Sequence, residues 1–212
     1  DDHVGGMPYG LDLAVPETAH ALAQFAARSD APENMRVEAL GLIEKWEKPD
    51  GKDYVMGLWR PLPDRDVNVA KSATQEVLGE LLKTPSDAVR VRAIELAKAF
   101  GIDDQNTMFA IVSDKSASDQ VRAAALDALA SRNGPRAAEA INLGLDHSKG
   151  VFRQTAIRLL AKLPDAVAKL DHTLKTGSVS DQQMVLDTLA SVEGPAVDQI
   201  EEQWMDQLMA GK

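Results

Sequence analysis

The sequence predicts an all-α fold, a right-handed α-solenoid in which pairs of helices stack on one another. The first observation is the stretch from Asp119 to Arg136, DQVRAAALDALASRNGPR. If Arg122 is position zero, apolar residues follow at +3, +4 and +7, which is one face of an α-helix. The same stripe begins again at four other positions: Arg36, Arg90, Arg153 and Gln182. A stripe that recurs in this way indicates an internal structural repeat.

The composition favours the same fold and excludes several functions. Hydrophobic residues make up 44% of the 212 residues but aromatic residues only 4%, so we expect a core of Ala, Leu, Val and Ile. Small side chains let helices approach closely, which suits stacked helix pairs. The net charge of −10 argues against binding to nucleic acid or to an anionic membrane. The chain has no cysteine, which excludes disulfides and thiol chemistry within it.

The elements follow in order along the chain. Residues 1–15 are rich in glycine and predict an irregular lead-in, and residues 16–212 predict the repeat array. Asp30, with Glu33 three residues later, is typical of a capping box at the second helix. Five helix pairs and one last helix are predicted at 16–29 with 32–47, 67–83 with 86–100, 104–114 with 118–132, 135–147 with 150–163, 165–176 with 180–192, and 195–210.

The spacing of the repeats places an insertion between the first two pairs, at about residues 48–66. From Arg90 to Gln182 successive stripes begin 32, 31 and 29 residues apart, whereas Arg36 and Arg90 are 54 residues apart. The insertion carries Tyr54 and Trp59 close together. No membrane-spanning run of about 20 apolar residues occurs here or elsewhere in the sequence.

Two interpretations of the insertion remain open. In the first, it is a lid with Trp59 buried as its anchor, and Arg60 and Arg65 pair with Glu44, Glu47 or Glu76. In the second, it is a docking element for a neighbouring domain or a partner, with Tyr54, Trp59, Arg60 and Arg65 as the interaction residues. We expect the first, because a loop of this length usually needs a small core of its own.

The repeat pattern carries a resemblance to a known class of repeat. The second helices show apolar–Arg–x–x–Ala–Leu/Ile–x–x–Leu, often with an acidic residue three positions before the arginine. This pattern resembles a short HEAT-like repeat of about 30 residues. Residues 35–66 are similar, more narrowly, to the HEAT segment of very large exported proteins of planctomycete-type bacteria. The distinctive phrase is GLWRPLPDRD, from Gly57 to Asp66.

The resemblance implies a context for the chain. In that family a sorbosone/glucose dehydrogenase-like β-propeller precedes the helical array, and a c-type haem domain with a CxxCH motif follows it. The resemblance therefore implies an exported or periplasmic protein. The sequence contains no CxxCH motif, so the resemblance assigns the family's redox chemistry to none of its residues. The chain begins with Asp1 rather than Met, and we expect it to be a segment of a longer protein.

No residue is predicted to be catalytic, to bind a cofactor or to bind a metal. The Gly-x-Ser-x-Gly, HExxH and glycine-rich phosphate motifs are absent from the sequence. Adjacent acids such as Asp103 and Asp104 are expected to be solvated. The repeated arginine is expected to contact neighbouring repeats rather than to hold an anion. The histidines lack a second ligand at helical spacing and are expected at surfaces or interfaces: His3, His20, His147 and His172.

The expected function is therefore a non-catalytic scaffold or interaction domain that contacts neighbouring domains or another protein. Two alternatives stay open, an enzyme-associated segment similar to the phycobilin lyases and a peptide-binding adaptor. The first needs a polar pocket with buried acids, and the second a concave stripe that is apolar or of one charge sign. The last helix carries Met205 and Met209 beside its main apolar face, and we expect weak self-association through them.

Overall fold

The structure is a computed structural model that describes residues 16–49, 51, 58, 59, 63–132, 134 and 136–210. In these residues the chain forms eleven α-helices and no β-strand, which confirms the all-α prediction. The predicted lead-in at 1–15 lies outside the described residues, as do Tyr54 and Arg60 of the insertion.

Each helix predicted from the sequence is present, usually a few residues shorter than predicted. Beyond some observed ends the chain continues as a turn, a bend or a 3₁₀ turn, as at Leu160–Lys162 after the eighth helix. The helices are α1 Pro16–Ala27, α2 Glu33–Glu44, α3 Val67–Leu81, α4 Asp87–Phe100, α5 Gln105–Ser113, α6 Asp119–Ser131, α7 Ala137–Leu145, α8 Val151–Leu159, α9 Ala166–Thr176, α10 Val179–Leu189 and α11 Pro195–Met209.

The helices divide into two compact units, one ending at Ile102 and the other beginning at Asp103. In the first unit α1 packs against α2 and α3, and α4 packs against both α2 and α3. In the second unit α6 packs against α5, α7 and α8, α10 packs against α8 and α9, and α11 packs against α9. Within each unit, helices therefore contact their pair partner and the corresponding helix of the next pair.

The cores consist mainly of small and aliphatic side chains, as the composition predicts. In the first unit α1 buries Ala19, Ala23 and Ala26 in one cluster with Leu40 and Ile43 of α2. Alanines on one face let α1 lie close to its neighbours. The second unit also buries large apolar side chains on both helices of its pairs: Met108, Leu126, Leu129, Ile141, Phe152 and Ile157.

The predicted capping box at Asp30 is wrong. The residue that precedes α2 is Pro32, which offers no side-chain acceptor. Proline also drives the residue before it toward extended geometry, so the helix begins at Glu33, too late for Asp30 to cap it. Asp30 instead accepts a hydrogen bond from Arg28 at 2.6 Å. A capping box does occur at α10, between Ser178 and Asp181.

One glycine determines how closely α7 can pack. A Cβ at Gly144 would lie 2.6 Å from the Cβ of Ala156 in α8 and 3.3 Å from Cδ2 of Leu126 in α6. The first distance is too short for two carbon atoms, and the second is tighter than an ordinary contact. Gly79, in α3, serves as the comparison, because a Cβ added there would have no neighbouring atom within 4 Å.

We expect Gly144→Ala to lower the free energy of unfolding by about 1–3 kcal/mol, because the added methyl group overpacks the contact with α8. The control Gly79→Ala should raise it by about 0.5–1 kcal/mol, since alanine is the better helix former. Urea denaturation followed by circular dichroism measures both changes. Stabilisation by both substitutions would show that α7 does not approach α8 as closely as described.

Candidate functional site

The repeated arginine joins the two helices of a pair by a hydrogen bond to the end of the first helix. The Nε of Arg36 donates to the carbonyl oxygen of Ala26 at 2.7 Å, and the Nε of Arg122 donates to that of Val112 at 2.9 Å. Arg153 donates to the carbonyl oxygen of Leu145 through Nη1. These acceptors lie in the last turns of α1, α5 and α7, where carbonyl groups have no partner within the helix. In these three pairs the start of the second helix thus caps the end of the first.

Gln182 makes the corresponding contact in the fifth pair, although it is uncharged. Its Nε2 donates to the carbonyl oxygen of Leu174, in the last turn of α9, at 3.0 Å. A neutral amide does the same work as the guanidinium groups, so what this position needs is a hydrogen-bond donor. This observation favours the structural role of the repeated residue over an anion-binding one.

The same arginines also contact the next pair, as expected from the sequence. Arg36 Nη2 donates to the hydroxyl of Thr84 at 3.0 Å, in the turn before α4. The guanidinium of Arg122 lies 4.0 Å from the ring centroid of Phe152 in α8. Arg153 Nε donates to Asp181 of α10 at 3.1 Å. Each of these side chains therefore holds its own pair closed and joins it to the following one.

Arg90, at the start of α4, departs from this arrangement. Its Nε is buried but has no hydrogen-bond partner among the residues that the structure describes. Its Nη1 lies 3.8 Å from Oδ1 of Asp87, one turn earlier on the same helix. The second pair is consequently the one in which the repeated arginine does not cap the preceding helix.

Charged groups on the helix surfaces pair across neighbouring repeats. Arg92 of α4 donates to Glu44 of α2 at 2.5 Å, and Arg158 of α8 donates to Asp127 of α6 at 3.1 Å. Among the first helices of the pairs, Lys169 Nζ donates to Asn142 Oδ1 at 3.0 Å. Opposite charges therefore meet along the second helices, and this leaves no stripe of a single sign there.

Two of the histidines lie at interfaces between pairs, as predicted. Nδ1 of His20 in α1 lies 3.2 Å from Oε2 of Glu76 in α3. Nε2 of His147 lies 3.1 Å from Oδ1 of Asp119, at the start of α6. Both rings are about one-third exposed. His3 is outside the described residues, and within them no three His, Asp or Glu side chains are grouped as a metal would require.

The adjacent acids before α5 are not equivalent solvated groups, which corrects the expectation from the sequence. Asp104 caps α5 and accepts from the backbone N–H and then the hydroxyl of Thr107, and both bonds lower the pKa of Asp104. The side chain of Asp103 is only 1% exposed and accepts from Arg132 at 2.6 Å. This hydrogen bond, with the charge of Asp103, raises the pKa of Arg132. Asp103 thus ties the start of α5 to the end of α6.

The expectation that Trp59 is a buried lid anchor is wrong. Trp59 is 73% exposed, and Leu58 beside it is 48% exposed. Of the acids expected to pair with the insertion, Glu44 binds Arg92 and Glu76 binds His20. Pairing by Arg60 lies outside the described residues. We call Leu58 and Trp59 the exposed insertion pair.

The anchor of the insertion is Trp46, which the sequence patterns did not single out. Trp46 is 2% exposed, and the guanidinium of Arg65 lies 4.7 Å from its ring centroid. The backbone N–H of Arg65 donates to the carbonyl oxygen of Glu47 at 2.9 Å, which fixes the end of the insertion beside the end of α2. Trp46 continues the apolar stripe of α2 ten residues after Arg36, and this spacing is the signal that could have found it.

The second unit contains an open cleft of about 460 Å³ at the end of α6. Lys162 lines it and donates to the carbonyl oxygen of Ala130 at 3.2 Å, so this lysine also caps a helix end. The other lining residues are mostly small or apolar: Ala130, Ser131, Gly134, Ala137, Ala138, Ile141 and Leu163. None of the described lining residues is acidic, unlike the pocket that the enzyme-associated alternative needs.

The comparisons leave the family of the chain undetermined. The chain matches no protein-family model, and no curated protein matches it significantly. In the part of the chain that the structure describes, no helix has both the length and the apolar character to cross a membrane.

We expect Arg122→Leu to lower the free energy of unfolding by about 2–4 kcal/mol, because it leaves a buried carbonyl group unpaired and removes the contact with Phe152. Arg122→Gln keeps a hydrogen-bond donor, as Gln182 does, and should lower the free energy of unfolding by less than Arg122→Leu. The control is Arg158→Leu in the same unit, whose side chain is 57% exposed. Loss of its surface ion pair should cost at most about 1 kcal/mol.

Urea denaturation followed by circular dichroism measures these three variants under identical conditions. Equal losses from Arg122→Leu and Arg158→Leu would contradict the capping role of the buried arginine.

Proposed function

We propose that the chain is a non-catalytic helical-repeat scaffold, and that its insertion between the first two helix pairs docks a neighbouring domain or a partner protein. The observation that carries this proposal is the exposure of Trp59, at 73%, beside an exposed leucine. Tryptophan buries more apolar surface than most side chains when it binds, and it is enriched among residues that dominate interface energies.

The way in which the insertion is held supports this role. Arg65 and Trp46 fix its end against the first unit, through the ring contact at 4.7 Å. These contacts hold the end of the insertion in place before a partner arrives, which reduces the conformational entropy that binding must overcome. Of the four interaction residues predicted from the sequence, Trp59 keeps this role in the proposal and Arg65 supports it, while Tyr54 and Arg60 lie outside the described residues and stay predictions.

The recurring polar side chains support the scaffold part of the proposal. Arg36, Arg122 and Arg153 are each engaged with a helix end and with the next pair. On this basis we propose that the helix pairs within each unit stack as right-handed α-solenoid repeats of the HEAT-like type. The wider context follows the resemblance of residues 35–66, namely a place between a dehydrogenase-like propeller and a haem domain in an exported protein.

We expect Trp59→Ala to change the free energy of unfolding by less than about 0.5 kcal/mol, because the side chain is mostly in water. Arg65→Ala should lower it by about 0.5–1 kcal/mol through loss of its contact with Trp46. Urea denaturation measures both. A large loss from Trp59→Ala would return the insertion to the lid interpretation.

The docking role is tested by hydroxyl-radical footprinting with mass spectrometry, on residues 1–212 alone and on the full-length gene product. Trp59 should oxidise rapidly in the isolated chain and several-fold more slowly in the longer protein, because docking excludes water from its ring. The internal control is Met35, which is 48% exposed and lies on α2. Equal oxidation of Trp59 in both samples would refute docking to a neighbouring domain of the same protein.

A further inference from the structure

The last helix, α11, has two exposed flanks of different character. Val197 and Ile200 are buried, at 3% and 8% exposure, on the side of the helix that packs against α9. Successive residues turn by about 100° around a helix, and this rotation sorts the exposed residues of α11 into two groups on its surface. The first flank, which we call the acidic methionine flank, contains Asp198, Glu201, Glu202, Met205, Asp206 and Met209. The second contains Ala196, Gln199, Gln203 and Ala210.

The acidic methionine flank combines apolar surface with unneutralised charge. Met205 is 64% exposed and Met209 is 87% exposed. The four carboxylates around them form no ion pair within the described part of the chain. The opposite flank of the same helix carries no charge at all in its described residues. The charges are therefore concentrated on the side that also exposes the methionines, rather than spread around the helix for solubility.

The charge decides which occupant fits this flank. A second copy of the chain, placed flank to flank, would bring the two sets of four carboxylates together, and like charges across an interface oppose binding. We therefore no longer expect self-association through Met205 and Met209. An anionic membrane surface is excluded by the same repulsion.

We propose that the acidic methionine flank binds a basic amphipathic helix of a partner protein. Leucine-type side chains of such a helix would cover Met205 and Met209, whose flexible thioethers adapt to differently shaped partners. Lysine or arginine residues at its margins would face Glu201, Glu202 and Asp206. This surface is distinct from the exposed insertion pair, and the inference holds whether or not Trp59 docks a neighbouring domain.

The probe is a synthetic helix of leucine and lysine, about 14 residues long with leucines on one face, labelled with fluorescein. It is titrated with residues 1–212, and binding is measured by fluorescence anisotropy. A peptide of the same composition in scrambled order serves as the peptide control. We expect the amphipathic peptide to bind at least about tenfold more tightly than the scrambled one, because only it presents a continuous apolar face.

Two double variants test the flank. Met205→Gln/Met209→Gln should weaken binding by about tenfold or more, since it removes the apolar contact. Glu202→Gln/Asp206→Asn should weaken it about tenfold at low salt, with a smaller effect at about 0.15 M NaCl, where surface charges are screened. All four side chains are exposed, so the fold should be retained, and circular dichroism of each variant checks this.

Matched controls make the same chemical changes elsewhere. Met35→Gln/Leu42→Gln removes two apolar side chains of α2 that are 48% and 49% exposed. Glu17→Gln/Glu38→Gln removes two exposed charges from the first unit. Both controls should change the dissociation constant by less than about twofold. The proposal is overturned if either control weakens binding as much as its α11 counterpart, if the methionine variant binds like the wild type, or if the amphipathic peptide does not bind.

Discussion

The fold depends on one hydrogen bond that recurs: a side chain at the start of a second helix donates to the last-turn carbonyl of the helix before it. Helix ends leave carbonyl groups unpaired, and in a close-packed pair water does not reach them easily. Arg36 and Arg122 reach these groups while buried, at 4% and 7% exposure. Because the donor is long, the two helices can meet through alanines at their crossing and still have their ends satisfied.

That bond also explains how polar side chains are distributed in the two units. Three of the four repeated guanidinium groups are shared between a helix end and the next pair, as Arg153 is between Leu145 and Asp181. Surface charges on the second helices are paired as well, for example Arg158 with Asp127. The two surfaces that we propose for partners, the exposed insertion pair and the acidic methionine flank of α11, both expose large apolar side chains, and the second also carries four carboxylates.

The sequence predicted the helices well because the stripe that defines them is local. The buried face of α6 can be read from the spacing of four residues within that helix alone: Arg122, Ala125, Leu126 and Leu129. The role of the repeated arginine was predicted only in outline, because its acceptors are backbone carbonyl groups, which leave no mark in the sequence. The capping box at Asp30 failed because Pro32 determines where α2 begins.

The candidate site was less predictable than the fold. Whether Trp59 is buried depends on where a non-periodic segment lies relative to distant helices, and no spacing rule encodes that. The same limit applies to Asp103, whose burial follows from its contact with Arg132, 29 residues away. Trp46 did carry a usable signal, since it extends a stripe that was already recognised. The exposure of a side chain in an irregular segment, such as Trp59, has no such periodic signal and is known only from the structure.

The insertion has a small consequence for the thermodynamics of chain closure. Arg36 joins its pair to Thr84 across 48 residues, whereas Arg153 joins its pair to Asp181 across 28. The entropy lost when a loop closes grows only with the logarithm of its length, so the longer loop costs only about 0.5 kcal/mol more. The junction between the first two helix pairs can therefore accept further residues with little loss of stability, which makes it a place where such a chain can acquire new binding segments.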